Sequence, residues 1–343
     1  MAWYNKEGLK SPSLISSRIR IARNIKGVPF PHKASKDNLK EVYDICRKVY
    51  DENSYLKENF VWFDIENTPY IELQKLVEKH LISPDLTKHT AFRGAMVSSD
   101  EDICIMINEE DHIRIQVIGG GQSLKELMKI ANKVDDIFAS AVEYGYSDRL
   151  GYLTACPTNV GSGIRASIMV HLPLLTDSGY VNQLSSAAGR MGIAVRGMYG
   201  EGSKAEGGIY QVSNQITLGV SEEEIIKRIN DFVQGLVKKE EDVRNKVYQA
   251  EPIDIEDKVW RAYGILNTAR SLSSNELLGL MSNIRIGAEL GIINVDSAKL
   301  NKLLVTTAPA HIAAMCDGEP TSVSRDVKRA EYIRSEVKNY DVQ

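Results

Sequence analysis

The chain lacks most of the features that would tie it to a membrane, an oxidising compartment or a nucleic acid. Its four cysteines, Cys46, Cys104, Cys156 and Cys316, are widely spaced and form no C-x-x-C pair. That argues against a zinc ribbon or a disulfide framework and fits a reducing cytoplasm. The first residues, MAWYNKEGLK, hold no apolar signal core, and no apolar run approaches the roughly 18 residues of a spanning helix. A cytoplasmic chain with no anchor is therefore predicted. Positive charge is not in excess: the formal net charge is −4, which argues against nucleic acid or an anionic membrane as a general partner. Internal repeats, low-complexity segments and a G-x-x-x-x-G-K-[ST] phosphate loop are also missing.

What is present suits a globular protein with a full core, at 43% hydrophobic and 26% charged residues. At 343 residues the chain exceeds one average domain, so a large domain with a smaller one is expected. Up to about residue 220, strand-like and helix-like patterns alternate. HIRIQV places Ile113, Ile115 and Val117 on one face and His112, Arg114 and Gln116 on the other. IRASIMVHL and GIYQVSNQITLGV also read as strands, whereas SLKELMKIANKVDDIFASAVEY and VNQLSSAAGRMGIAV carry helical spacing. The order predicts a sheet with helices packed on it. Beyond Val220 the chain reads helical, opening with a Ser221-x-x-Glu224 capping box. Charge and proline in YQAEPIDIED place the boundary between residues 1–250 and a helical region, 251–343.

Several stretches concentrate groups able to do chemistry. ISSRIRIAR sets Arg18 and Arg20 on one face of a strand, suited to a multiply charged anion or simply to a solvated basic edge. INEEDHIRIQV packs three consecutive acids and a histidine in front of Arg114. In TACPTNVGSGIRAS, Cys156 precedes a proline at a loop tip, where nearby arginines would favour its thiolate. RGMYGEGSKAEGG has five glycines in 13 residues, the composition of a lid or of a floppy loop.

The ordered set SSRIR, NEEDHIR, CPTNVGSGIRAS and RGMYGE closely resembles the signature of the phosphagen (guanidino) kinases, over roughly residues 14–220. These enzymes move the γ-phosphoryl group of MgATP to a guanidinium nitrogen. The resemblance implies an α+β catalytic domain, an antiparallel sheet flanked by helices, followed here by a C-terminal all-helical domain. A guanidinium is planar, cationic and a poor nucleophile at neutral pH. It must be held, aligned and relieved of a proton, and paired carboxylates do all three. The resemblance assigns Glu110 as base and clamp, Glu201 as a second clamp on the glycine-rich loop, and Glu109 to the magnesium through water. Asp111 and His112 read as support. Cys156 matches the family's reactive cysteine, which tunes the acceptor site.

For the donor, whose transferred group spreads charge over its oxygens, the resemblance implies that Arg18, Arg20, Arg114, Arg165 and Arg196 ring the phosphates. Nucleotide contacts would run along Ser16, Ser17 and Ile19, along Ala166, Ser167, Ile168 and Met169, and along Gly197, Met198, Tyr199 and Gly200. His80 matches a histidine beside the adenine, with a satisfied surface histidine as the alternative. Magnesium would be held mainly by phosphates and water, without a dedicated protein metal site.

Metabolite-directed members of the family carry a helical domain ahead of SSRIR that helps enclose a small acceptor. Here the motif begins by Ser16, so one wall of that pocket is expected to be missing. The added helical tail resembles that of the bacterial protein-arginine kinases. Its SRDVKRA segment matches their R-D-x-x-R-A motif, with Ser324 as the expected N-cap and Arg325, Asp326 and Arg329 forming an allosteric phosphoarginine pocket. The resemblance implies protein substrates with exposed arginines, an McsA-type zinc-binding activator, delivery of marked proteins to the ClpC–ClpP protease, and a homodimer. Two other readings remain at this point: a kinase of free guanidino metabolites, and an adaptor that reads phosphoarginine.

Overall fold

The computed structural model describes residues 2–5, 11–89, 91–121, 123–198 and 206–338. The strands are β1 (Leu14–Arg23), β2 (Phe60–Asp64), β3 (Gly94–Ser98), β4 (Ile103–Ile107), β5 (Ile113–Gly120), the short β6 (Tyr146–Ser147) and β7 (Gly151–Tyr152), β8 (Ile164–His171), β9 (Ile193–Gly197) and β10 (Ile209–Asn214). The helices are α1 (Lys36–Glu52), α2 (Ser54–Asn59), α3 (Tyr70–Glu78), α4 (Leu124–Ala139), α5 (Pro173–Asp177), α6 (Tyr180–Arg190), α7 (Glu222–Ala250), α8 (Pro252–Thr268), α9 (Ser274–Glu289), α10 (Ser297–Thr306), α11 (Pro309–Ala313) and α12 (Ser322–Val337).

Among the described residues, eight strands form one sheet in the order β2-β3-β4-β5-β1-β8-β10-β9. The pairs β2/β3, β3/β4 and β4/β5 are antiparallel, with Ile105 facing Ile115 and Met106 facing Arg114 in the last register. Two compact units divide the chain. The first gathers Met1–Trp3, Ser17–Ser167 and Ser213–Asn230, and the second Tyr4–Ser16, Ile168–Val212 and Asp231–Gln343.

In the first unit the strand interiors are covered on both sides. Every residue of β4 is buried, as a continuous ICIMI run requires. Alternation in HIRIQV therefore does not separate core from solvent: His112 and Gln116, expected on the far face, are buried as well. On that face His112 bonds Ile25 N and Pro29 O, Gln116 donates to His80 O and Leu81 O, and Arg114 pairs with Glu109. Helix α4 lays Leu127, Met128, Ala131, Val134 and Phe138 into the core at helical spacing. The stretch GIYQVSNQITLGV stops being a strand at Asn214. There the side chain takes over the ladder, accepting from Ala166 N at 2.8 Å and donating to Ile164 O at 3.1 Å.

The capping box expected at Ser221 is half formed. Ser221 Oγ accepts from Glu224 N at 3.2 Å, but the Glu224 carboxylate turns to Arg228 one turn further on. In the second unit, Val259, Leu266, Leu277, Met281, Ile284, Leu300, Leu303, Ile333 and Val337 belong to one buried cluster. Each such side chain contributes roughly 1.5–3 kcal/mol on burial. Helices α8 and α9 approach closely at Gly287, where an added Cβ would stand 2.5 Å from Val259 Cγ1.

Polar bonds in the same unit tie the start of β1 and the end of β8 to the tail helices. Arg285 donates to Pro12 O at 2.9 Å and to Asn301 Oδ1 at 2.8 Å. Ser13 Oγ donates to Glu289 Oε1 at 2.8 Å, and Glu289 also pairs with Arg244. His171 Nε2 lies 2.8 Å from Ser282 Oγ. No helix among the described residues is long and apolar enough to cross a membrane.

Candidate active site

The first unit brings the arginines of three separated motifs together. On β1, Arg18 and Arg20 alternate with the fully buried Ile19 and Ile21 and so leave the strand on one face. Ser17 Oγ bonds Gly121 O at 2.6 Å and accepts from Ser123 N at 3.1 Å, fixing this strand against the turn before α4. β8 is drawn onto β1 at Gly163, whose φ of +69° and 2.7 Å spacing from a would-be Cβ to Ala22 O demand glycine. Arg165 follows two residues later, with Ala166 and Ser167 buried behind it.

The charges of Arg114 and Arg165 both act on Arg18 and Arg20. Burial and these neighbours push the Arg18 guanidinium down to about 10. The same causes, with Arg18 added, hold Arg20 well below its usual value. Arg20 Nε is buried without a hydrogen-bond partner among the described residues. Cations crowded to this degree, one with an unspent donor, fit a polyanion.

The acid turn is set by Asn108. It holds φ at +56°, a conformation asparagine tolerates, and its amide donates to Leu39 O and Phe92 O, both at 2.8 Å. Glu109, 5% exposed, pairs with Arg114 at 2.5 Å and accepts from Ser83 Oγ at 2.6 Å and Glu110 N at 3.0 Å. Burial alone would raise its carboxyl, but Arg114 and these donors hold it at about 2. Glu110 is exposed, and its carboxyl is raised: partial burial and the charges of Asp111 and Glu109 outweigh Arg114 and Arg165. Two adjacent carboxylates are thus driven apart, one permanently ionised and one closer to accepting a proton. Asp111 and His112 are buried and bonded to groups of other segments.

His80 is held rather than free at the surface. Its φ is +58°, its ring lies 6.0 Å from that of Trp3, and burial together with the Arg18 charge pushes it down to about 4. The imidazole is neutral at physiological pH. Cys156 caps a short turn, Pro157–Asn159, with Sγ 3.0 Å from Thr158 Oγ1. The partner seen at the sulfur is thus a hydroxyl, where the sequence suggested arginines.

Sequence reasoning missed Ser83, which gives no local signal. It also passed over Gln116, which the strand period does place beside Arg114. Gln116 holds His80 O at 2.5 Å and accepts from Arg18 at 3.5 Å, joining two motifs.

Ser16, Ile168 and Met169 are buried residues of the second unit, as is Gly197, while Arg196 and Met198 are partly buried there. Tyr199, Gly200 and Glu201 fall outside the described residues.

The tail motif differs from its expected geometry. Thr321, not Ser324, is the N-cap of α12, in a reciprocal box with Ser324 at the third helical position. Serine there does what glutamate or glutamine usually does. Arg325 therefore lies past the first turn. Arg329 does not share an exposed face with Arg325: it is 1% exposed and donates to Thr307 O at 3.0 Å, Leu272 O at 2.8 Å and Asp326 Oδ1 at 2.6 Å. Orphaned carbonyls at helix and loop ends draw it inward.

A cluster of cations beside two unlike carboxylates suits transfer of a phosphoryl group to a cation, and the comparisons agree on that class. A family model described as ATP:guanido phosphotransferase, C-terminal catalytic domain, matches residues 41–243, and one described as protein-arginine kinase McsB C-terminal domain matches residues 252–343. The crystal structure of a lombricine kinase superposes with a TM-score of 0.60 at 25% identity, covering 71% of this chain and 70% of that one. A duplicated taurocyamine kinase from Schistosoma mansoni shares the fold, with a TM-score of 0.60 at 23% identity over 69% of this chain and 35% of its own. The protein-arginine kinase of Caldanaerobacter subterraneus subsp. tengcongensis is 43% identical over 94% of this chain and 96% of its own length. That of Bacillus subtilis (strain 168) is 41% identical over 97% and 92%. The chain belongs to the protein-arginine kinase family of the guanido phosphotransferases.

Proposed function

We propose that this enzyme transfers the γ-phosphoryl group of MgATP to arginine side chains of proteins. The observation that carries the reading is the convergence of Arg18, Arg20, Arg114 and Arg165 in one unit with Glu109 and Glu110. The four guanidinium groups would bind and orient the triphosphate, offsetting the charge that builds on the transferred group. Glu109 holds Arg114 in place. Glu110 would align the acceptor guanidinium and take its proton, since a raised carboxyl is the better base near neutrality. Glu201 would be the second clamp, and Arg196 would add to the phosphate set. Magnesium, when bound with the nucleotide, would neutralise phosphate charge. Cys156 would flank the acceptor and His80 the base of the nucleotide.

In the same reading, residues 1–250 form the catalytic part and 251–343 a regulatory part. Arg325 would offer the accessible cation for phosphoarginine, while buried Arg329 fixes Asp326 for the guanidinium half. A homodimer, an McsA-type activator, a ClpC–ClpP destination and a cytoplasmic setting are carried as parts of this proposal. Incubation with MgATP and an unfolded arginine-rich protein, followed by phosphosite mapping without acid, should yield phosphoarginine. Modification of free arginine in preference to the protein would overturn the substrate assignment.

A further inference from the structure

Between the acid turn and the cysteine loop lies a buried polar knot that phosphoryl transfer itself does not use. Asn24, the residue after β1, is 3% exposed, and Asp111 is 1% exposed. Asn24 engages its whole amide. Its Oδ1 accepts from His112 N at 2.9 Å, and its Nδ2 donates to Asp111 Oδ1 at 2.6 Å and to Leu153 O at 3.0 Å. The same Asp111 oxygen accepts the Ala155 N–H at 2.7 Å. One carboxylate oxygen thus joins the neighbour of Glu110 to the neighbour of Cys156. His112 closes the knot, with Nδ1 accepting from Ile25 N at 3.0 Å and Nε2 facing Pro29 O at 2.9 Å, the bonds of a neutral ring.

Burial pushes the Asp111 carboxyl up. A single Asp111 oxygen gathers donors from two separate segments and so ties them at one point. Asn24 orients it from the end of the strand that carries Arg18 and Arg20.

We propose that Asn24 and Asp111 are positioning residues for the guanidinium acceptor. They set the spacing between Glu110 and the Cys156 loop, the two walls between which the acceptor aligns, without touching the nucleotide. This rests on the assignment of Glu110 and Cys156 to the acceptor side. Small displacements matter there, because misplacing a reacting group by an ångström can cost on the order of 100-fold in rate.

The test compares Asp111→Ala, Asp111→Asn and Asn24→Ala with wild type. It reads kcat on an unfolded arginine-rich protein, KM for MgATP, and the peptide-resolved rate of Cys156 alkylation by iodoacetamide. Asp111→Ala should lower kcat about 100-fold, leave KM for MgATP within about threefold, and change the Cys156 rate by about fivefold or more. Asp111→Asn keeps an oxygen for both donors and should recover kcat to within about tenfold of wild type. Asn24→Ala leaves the Asp111 to Ala155 bond in place and carries the same comparison if Asp111→Ala fails to fold. An unchanged Cys156 rate, or kcat within about threefold of wild type for both alanine variants, overturns the proposal. So does Asp111→Asn as slow as Asp111→Ala, since charge rather than placement would then be what matters. Wild type that makes no phosphoarginine would instead sink the functional reading, and the alkylation rates would still decide whether the knot positions the loop.

Discussion

Glu109 and Glu110 are chemically identical neighbours, yet their surroundings shift their carboxyls in opposite directions. Glu109 is locked to Arg114 and Ser83, whereas Glu110 keeps an exposed carboxyl with a raised proton affinity. A base must be unprotonated to work, so activity should fall as pH drops through the Glu110 value, which lies above the ordinary glutamate range of about 4.3. Glu110→Gln should remove that limb and lower kcat/KM by about a thousandfold, with MgATP affinity nearly unchanged. Kinetics against pH alongside an ATP titration decide it: a variant within a few-fold of wild type removes Glu110 from the chemistry. At this scale the arginines and acids were legible because the motifs name them. Asn24, Ser83 and the burial of Arg329 were not, since each depends on partners far away in the chain.

At the scale of the element, α12 shows how spacing can mislead. Arg325 and Arg329 are four apart, a spacing that sets two side chains on one side of a helix but does not say which side is covered. Leu272 O, in the turn between α8 and α9, and Thr307 O, just past α10, both accept from Arg329. Arg329→Ala should therefore destabilise the tail by roughly 3–5 kcal/mol, the scale of breaking a buried charged network. Arg325→Ala, at a partly exposed position, should cost under about 1 kcal/mol and weaken phosphoarginine binding instead. Thermal melts with calorimetric phosphoarginine titrations separate the two, and equal melting temperatures would refute the structural role of Arg329. The cap at Thr321 escaped notice for a related reason: its partner is a serine, where the usual signature has an acid or amide.

For the whole molecule, the break near Pro252 was readable as the end of one helix and the start of the next. What sequence did not reveal is that compact units ignore it. The end of β8, the start of β1 and the second half of α7 belong with the tail helices through Arg244, Glu289, Arg285 and His171. Charges buried in such a network are stable only as a set. A chain ending at residue 250 should accordingly aggregate, or melt without a cooperative transition, although it contains every proposed catalytic residue. A sharp, reversible melt of that fragment, measured by circular dichroism, would show the boundary at 250 to be autonomous.

The crowding of Arg18, Arg20, Arg114 and Arg165 also bears on how long the molecule lasts. The charges of Arg114 and Arg165 weigh on Arg18 and Arg20, and a bound polyanion would offset that repulsion. Nucleotide at 100 times its dissociation constant would add about 2.7 kcal/mol to folding stability, so survival against proteolysis should follow the ATP level. Digestion by a nonspecific protease, run with and without ATP, reads this directly, and equal half-lives would dismiss it. A cell short of ATP would then lose the enzyme as well as its donor, and the pool would shrink before any change in synthesis.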